Sequence, residues 1–157
     1  MDSKLTLFSQ IISKIDRGIF KKIVKEKKTD YRNKGFDSWT HLVSMLFCHF
    51  AKSTSVRDIS NGLRSATGNL NHLGIKTAPS KSSISYQNGK RDADLFKDLY
   101  FKLLEQLGQH TKERRIKLKI KVPVYLLDST LISLCLSLFD WATYRTKKGA
   151  VKMHTLL

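Results

Sequence analysis

Asp128 is the residue on which chemistry can be built first. It closes the apolar run Val124-Tyr125-Leu126-Leu127 and is followed by Ser129-Thr130. Such a run predicts a buried strand that delivers a carboxylate to a sheet edge. A carboxylate placed there can hold a divalent cation. Paired cations can activate a nucleophile and stabilise a leaving oxygen in phosphoryl transfer. Mg²⁺ suits that task because it takes oxygen ligands and keeps exchangeable waters. Taken alone, a lone strand-end Asp is more often a cap or a hydrogen-bond acceptor.

A second group of residues points to a polyanion. Arg57 opens a short segment whose start, Ser55-Val56-Arg57-Asp58, has capping-box spacing. Lys81, in Ser80-Lys81-Ser82-Ser83, opens another helix, and Lys90 and Arg91 come near its end. Two capped helices with a Gly-containing connection resemble a helix-turn-helix. Side chains at the start of the second helix could then meet phosphates or base edges. The connection from Leu63 to Pro79 is longer than the compact motif, so a bundle with polar outer faces is the competing expectation. A third group is Trp141-Ala142-Thr143-Tyr144-Arg145-Thr146-Lys147-Lys148-Gly149, followed by Lys152 and His154. Aromatics interleaved with cations suit a nucleic-acid backbone or an unstacked base. A solvated basic hairpin is the plainer alternative.

Composition agrees with these groups. Lys and Arg number 29 against 13 Asp and Glu, a formal net charge of +16 over 157 residues. Neutralising phosphates releases condensed counterions, so this balance favours nucleic acid. Cys48 and Cys135 have no CxxC partner and read as reduced core residues of a cytosolic protein. His41, His49, His154, Cys48 and Cys135 lack zinc-ligand spacing. No phosphate-loop or dinucleotide glycine pattern is present. The longest apolar run, Leu131 to Phe139, is too short to span a bilayer, and no membrane partner is expected.

Helical periodicity carries most of the remaining chain. Leu5, Phe8, Ile11, Ile12 and Ile15 fall at helical spacing, as do Ile19, Phe20, Ile23 and Val24 beyond a cap at Asp16. The stretch Lys25 to Lys34 is basic and polar. Its Tyr31 and Arg32 could reach DNA, but a solvated loop is the simpler expectation. Asp37 or Ser38 caps a helix with Trp39, Leu42, Val43, Leu46, Phe47 and Phe50 on its apolar face. A long amphipathic helix resumes at Asp92, carries Leu95, Phe96, Leu99, Tyr100, Leu103, Leu104 and Leu107, and ends near Gly108. Lys112 to Lys121 is a basic run. After Val122 the pattern turns strand-like: a first strand that could continue through Leu136, a hairpin-like connection over 137–149, and a second strand from Ala150 to Leu157.

Leu127-Asp128-Ser129-Thr130, Leu134-Cys135-Leu136-Ser137-Leu138-Phe139, Trp141-Ala142, Tyr144-Arg145, Lys148-Gly149-Ala150-Val151-Lys152 and His154-Thr155-Leu156-Leu157 resemble the start of the catalytic domain of bacterial transposases of the insertion-sequence-4 type. Tyr31-Arg32, Phe36, Trp39, Ser55-Val56-Arg57-Asp58-Ile59 and Leu63-Arg64 are similar to the same family's helical DNA-binding part. The resemblance implies an α+β chain. Its helical DNA-binding domain would span 1–109, with a basic linker over 110–121. The first strands of a ribonuclease-H-like domain would follow over 122–157. It implies that Asp128 is the first catalytic and metal-binding Asp of a DDE site that uses Mg²⁺. In that family a second Asp, a Glu and a Tyr-Arg-Glu-Lys signature complete the site, and none maps within this sequence. Asp140 is no substitute, because relatives often carry Pro there.

The expectation is therefore the N-terminal portion of a DNA transposase. It would bind terminal inverted repeats of double-stranded DNA in a bacterial, nucleoid-associated setting. The intact enzyme would cleave and join DNA, as a homodimer in one arrangement. Expected DNA contacts are Arg57, Lys81, Lys90 and Arg91 in the helical part, with Arg145, Lys147, Lys148 and Lys152 near the metal. The alternative is a catalytically inactive remnant that acts only by binding DNA. A third reading is a basic RNA-binding protein.

Overall fold

The computed structural model describes residues 7–33, 35–66, 70–113, 127–134, 143–145 and 148–156. Six helices come first: α1 Leu7–Ser13, α2 Arg17–Lys27, α3 Ser38–Phe50, α4 Val56–Ser65, α5 Lys81–Lys90 and α6 Asp94–Glu113. A 3-10 turn at Leu70–Leu73 lies between α4 and α5. Three strands follow: β1 Leu127–Leu134, β2 Thr143–Arg145 and β3 Lys148–Leu156.

Local chemistry sets the helix starts. The Asp16 carboxylate accepts from the Gly18 and Ile19 N–H groups at 2.7 and 3.2 Å. Asp37 accepts from Thr40 N–H at 2.7 Å. Ser55 and Asp58 form the reciprocal capping box. Ser80 accepts from Ser83 N–H at 3.1 Å. Each bond satisfies an N–H that the helix cannot pair internally. Two helix ends turn through left-handed lysines, Lys28 after α2 and Lys52 after α3, where Gly is the usual occupant.

The helices bury one apolar cluster. Phe20 and Ile23 of α2, Trp39, Leu42, Val43 and Cys48 of α3, and Val56, Ile59 and Leu63 of α4 are buried with Ile84, Leu95 and Leu99. Removing each large side chain from water contributes about 1.5–3 kcal/mol. α2 packs on α6, while α3, α4 and α5 pack on one another. Non-local polar bonds fix the orientation. Trp39 Nε1 donates to Leu73 O at 2.8 Å, and the Ser60 hydroxyl donates to Pro79 O at 2.8 Å, tying α4 to the start of α5. The Arg17 guanidinium lies 4.7 Å from the Trp39 ring centroid, packed so closely on Gly74 that a Cβ there would clash with it.

Several expected boundaries move. Phe50, placed on the apolar face of α3, is exposed. α6 runs past Gly108 to Glu113, beyond the expected end of the helical domain at 109 and into the expected linker, because a single Gly weakens a helix without ending it. Tyr100, Leu104 and Leu107 on that helix remain exposed.

The sheet has the order β1-β3-β2, all antiparallel. β1 and β3 pair without interruption from Leu127↔Leu156 to Leu134↔Gly149. Asp128 is thus the second residue of an eight-residue strand rather than its last. The β-branched residues Thr130 and Ile132 carry the strand onward, as the second half of the sequence pattern allowed. β2 lies inside the segment expected to be only a connection. It pairs through Thr143↔Gly149 and Arg145↔Lys148, with a register irregularity between them. Val124 to Leu126, Cys135 and Trp141 lie outside the described residues.

Candidate nucleic-acid interface

Two surfaces of the helical part gather cations. The first is the outer side of α4 and the start of α5. Burial of Val56, Ile59, Ser60 and Leu63 turns Arg57, Asn61 and Arg64 outward at helical spacing. Sequence reasoning selected only Arg57 for this face. The i, i+4, i+7 spacing was the signal that could have found the other two. Lys81 is exposed in the first turn of α5, where the Ser80 hydroxyl lies 3.0 Å from that of Ser82 and 2.9 Å from that of Ser83. Unpaired N–H groups and hydroxyls at a helix start favour anionic oxygen.

The second surface is a groove of about 420 Å³ between the loop after α2 and the end of α5. Its walls include Tyr31 and Arg32 on one side and Tyr86, Gln87 and Lys90 on the other. Tyr31 is 72% exposed and Tyr86 61%. Lys90 Nζ donates to the Tyr86 hydroxyl at 3.0 Å, and the Arg32 guanidinium lies 5.2 Å from the Tyr31 ring centroid. Lys27, at the groove edge, pairs with Asp98 of α6 at 2.9 Å, and that bond raises its pKa.

Arg91 is the correction. Expected to contact DNA, it has a side chain only 2% exposed. Its Nη2 donates to Phe36 O at 3.0 Å and to Asp30 Oδ1 at 3.3 Å, and Nη1 donates to Asp37 O at 3.4 Å. The same Asp30 oxygen accepts from the Ser38 N–H and hydroxyl, both at 2.8 Å. A guanidinium has five donors in a rigid fork, and here most are spent on the α2–α3 loop. Burial lowers the Arg91 pKa, while Asp30 and Asp37 act in the opposite direction. Arg91 is a scaffold clamp.

Beside it lies His41, 2% exposed, with its ring 5.5 Å from Phe36 and 5.4 Å from Phe96. Neither ring nitrogen has a well-aligned hydrogen-bond partner. Burial first, and then the Arg91 charge, lower its pKa to about 4, with Asn88 pulling the other way.

In the sheet, Asp128 pairs with Thr155, Ser129 with His154 and Leu131 with Lys152. Alternate positions of a ladder fall on opposite faces. Positions 128 and 152 belong to opposite sets, as do 128 and 148. Lys152 and His154 are exposed. Arg145 lies in β2, and Lys147 lies outside the described residues. Among the described residues no group of three or more His, Cys, Asp or Glu side chains could hold a metal ion. No described helix is long and apolar enough to cross a membrane.

No curated protein and no solved structure matches the chain. Residues 3–76, which take in α1 to α4 and the 3-10 turn, match a family described as a domain of unknown function, DUF4372.

Proposed function

We propose that this chain binds double-stranded DNA through its helical part, in the manner its resemblance to insertion-sequence transposases implies. The observation that carries the reading is the net charge of +16, together with exposed Arg57 and Lys81 on packed, capped helices. The α4–α5 pair would sit against the phosphate backbone, with Lys90 close by at the far end of α5. Terminal inverted repeats are the expected target. Asp128 would be the first carboxylate of a phosphoryl-transfer site whose remaining ligands are not among the described residues.

The test is fluorescence anisotropy of a labelled duplex titrated with the chain at several salt concentrations. Log affinity should fall linearly with log salt, by roughly 0.9 per phosphate contacted. Arg57→Ala and Lys81→Ala should each weaken binding across sequences and reduce that slope by about one. A salt-independent affinity, or a clear preference for structured RNA, would sink the reading. Mg²⁺-dependent strand cleavage that disappears in Asp128→Ala would add catalysis; binding without cleavage would favour a protein that acts by DNA binding alone.

A further inference from the structure

The groove beside α5 differs in kind from the α4–α5 face. Its cations are interleaved with two exposed tyrosines that come from opposite walls, 55 positions apart in sequence. Its volume of about 420 Å³ falls within the ~300–1,000 Å³ range of small-ligand sites and is far too small to admit a duplex. An aromatic ring open to solvent offers a stacking face to any base. Lys90 is held at the Tyr86 hydroxyl, so a cation stands at the edge of one such ring. On the opposite wall, the loop makes a turn closed by Asn33 N–H donating to Asp30 O at 3.1 Å. Arg32 occupies that turn with φ 55°, a position that Gly or Asn fills more easily. This backbone carries the Arg32 guanidinium beside the Tyr31 ring. The wall itself is rigid, because Asp30 is bound by Ser38 and Arg91 directly behind it.

We infer that the groove formed by Tyr31, Arg32, Tyr86 and Lys90 is a binding site for an unpaired nucleotide of a DNA strand. The base would stack on tyrosine, and the flanking phosphates would meet Arg32 and Lys90. The inference rests on the DNA-binding reading and extends it: the α4–α5 face takes duplex, and the groove takes the single strand where a duplex ends or opens.

Two labelled probes test this with the full chain: a blunt duplex, and the same duplex carrying a four-thymidine 3′ overhang. The wild-type chain should bind the overhang probe about tenfold more tightly, the size expected of one stacked base. Tyr31→Leu combined with Tyr86→Leu should abolish that preference and leave blunt-duplex affinity within about twofold. Tyr86→Phe, which keeps the stacking ring, should retain it. Arg32→Gly, which suits the left-handed turn, should weaken overhang binding with the melting temperature unchanged. Blunt and overhang probes binding equally well to the wild-type chain would overturn the groove assignment while leaving duplex binding intact. A preference that survives the double leucine variant would overturn it as well. Binding to neither probe would remove the groove proposal together with the DNA-binding reading beneath it.

Discussion

The Asp30–Arg91 clamp and the Tyr31–Tyr86 groove share a wall and are built from neighbouring residues, yet they are opposites. Asp30 turns inward and Tyr31 outward; Lys90 lies in solvent and Arg91 is enclosed. Both regions are polar and basic in sequence. Packing separates them, because the clamp's two terminal nitrogens donate to the carbonyls of Phe36 and Asp37 and to the Asp30 carboxylate, while its Nε is buried without a partner. The groove's two tyrosine rings remain exposed. Charge therefore marks where a polyanion could bind, while burial decides which cations are available to it.

Substitutions should separate the two regions most sharply at Arg91. Arg91→Ala removes one partner of a buried pair and strands the carbonyls it serves. A loss of about 3 kcal/mol is expected, at the low end of such effects because Asp30 is partly exposed. Urea denaturation measures it. Unchanged stability with weakened DNA binding would return Arg91 to the interface.

Acid should strike the same buried side. His41 binds its proton near pH 4 in the folded chain and near 6.5 when unfolded, so the unfolded state holds more protons between those values. Stability contributed by neutral His41 is complete above about pH 6.5, declines as pH falls, and is lost below about 4. The loss is roughly 3–4 kcal/mol. Urea midpoints across that window should slope in the wild type and flatten in His41→Phe; parallel slopes would exclude His41 as the source.

Two helical glycines sharpen the contrast between packed and open sites. A Cβ on Gly62 would lie 2.6 Å from the Phe47 ring, so Gly62→Ala should cost about 1–3 kcal/mol. Gly89, in α5, meets nothing within 4 Å. Gly89→Ala should stabilise the chain by about 0.5–1 kcal/mol. Thermal melts of both variants check this, and shifts of the same sign would contradict the packing. Smallest of all, Tyr31→Leu and Tyr86→Leu should change stability by no more than about 0.5 kcal/mol, because both rings are solvated. Circular dichroism melts would expose any larger role in folding.

Short-range features were the legible ones. Asp16, Asp37, Ser55 with Asp58, and Ser80 cap their helices through bonds that span two or three residues, so type and spacing sufficed to find them. The pairing of β1 with β3 was foreshadowed by apolar, β-branched composition. β2, three residues long, is too short to leave a pattern. Periodicity alone places Phe50 inward, but it lies at the last turn of α3, where the exposed end meets solvent.

The sequence by itself determined the helical character of the first two thirds, the helix starts, the excess of positive charge and the strand-like character of the segments around Asp128 and beyond Ala150. These follow from local hydrogen bonding, from periods of 3.6 and 2, and from simple charge counting. Tertiary structure alone decided that Arg91 is a clamp and that Tyr31 and Tyr86 face one cavity. Arg91 and its partners lie 54 to 61 positions apart, and no local rule reaches across that distance. Whether a side chain meets protein or water depends on which distant segment the packed core brings beside it.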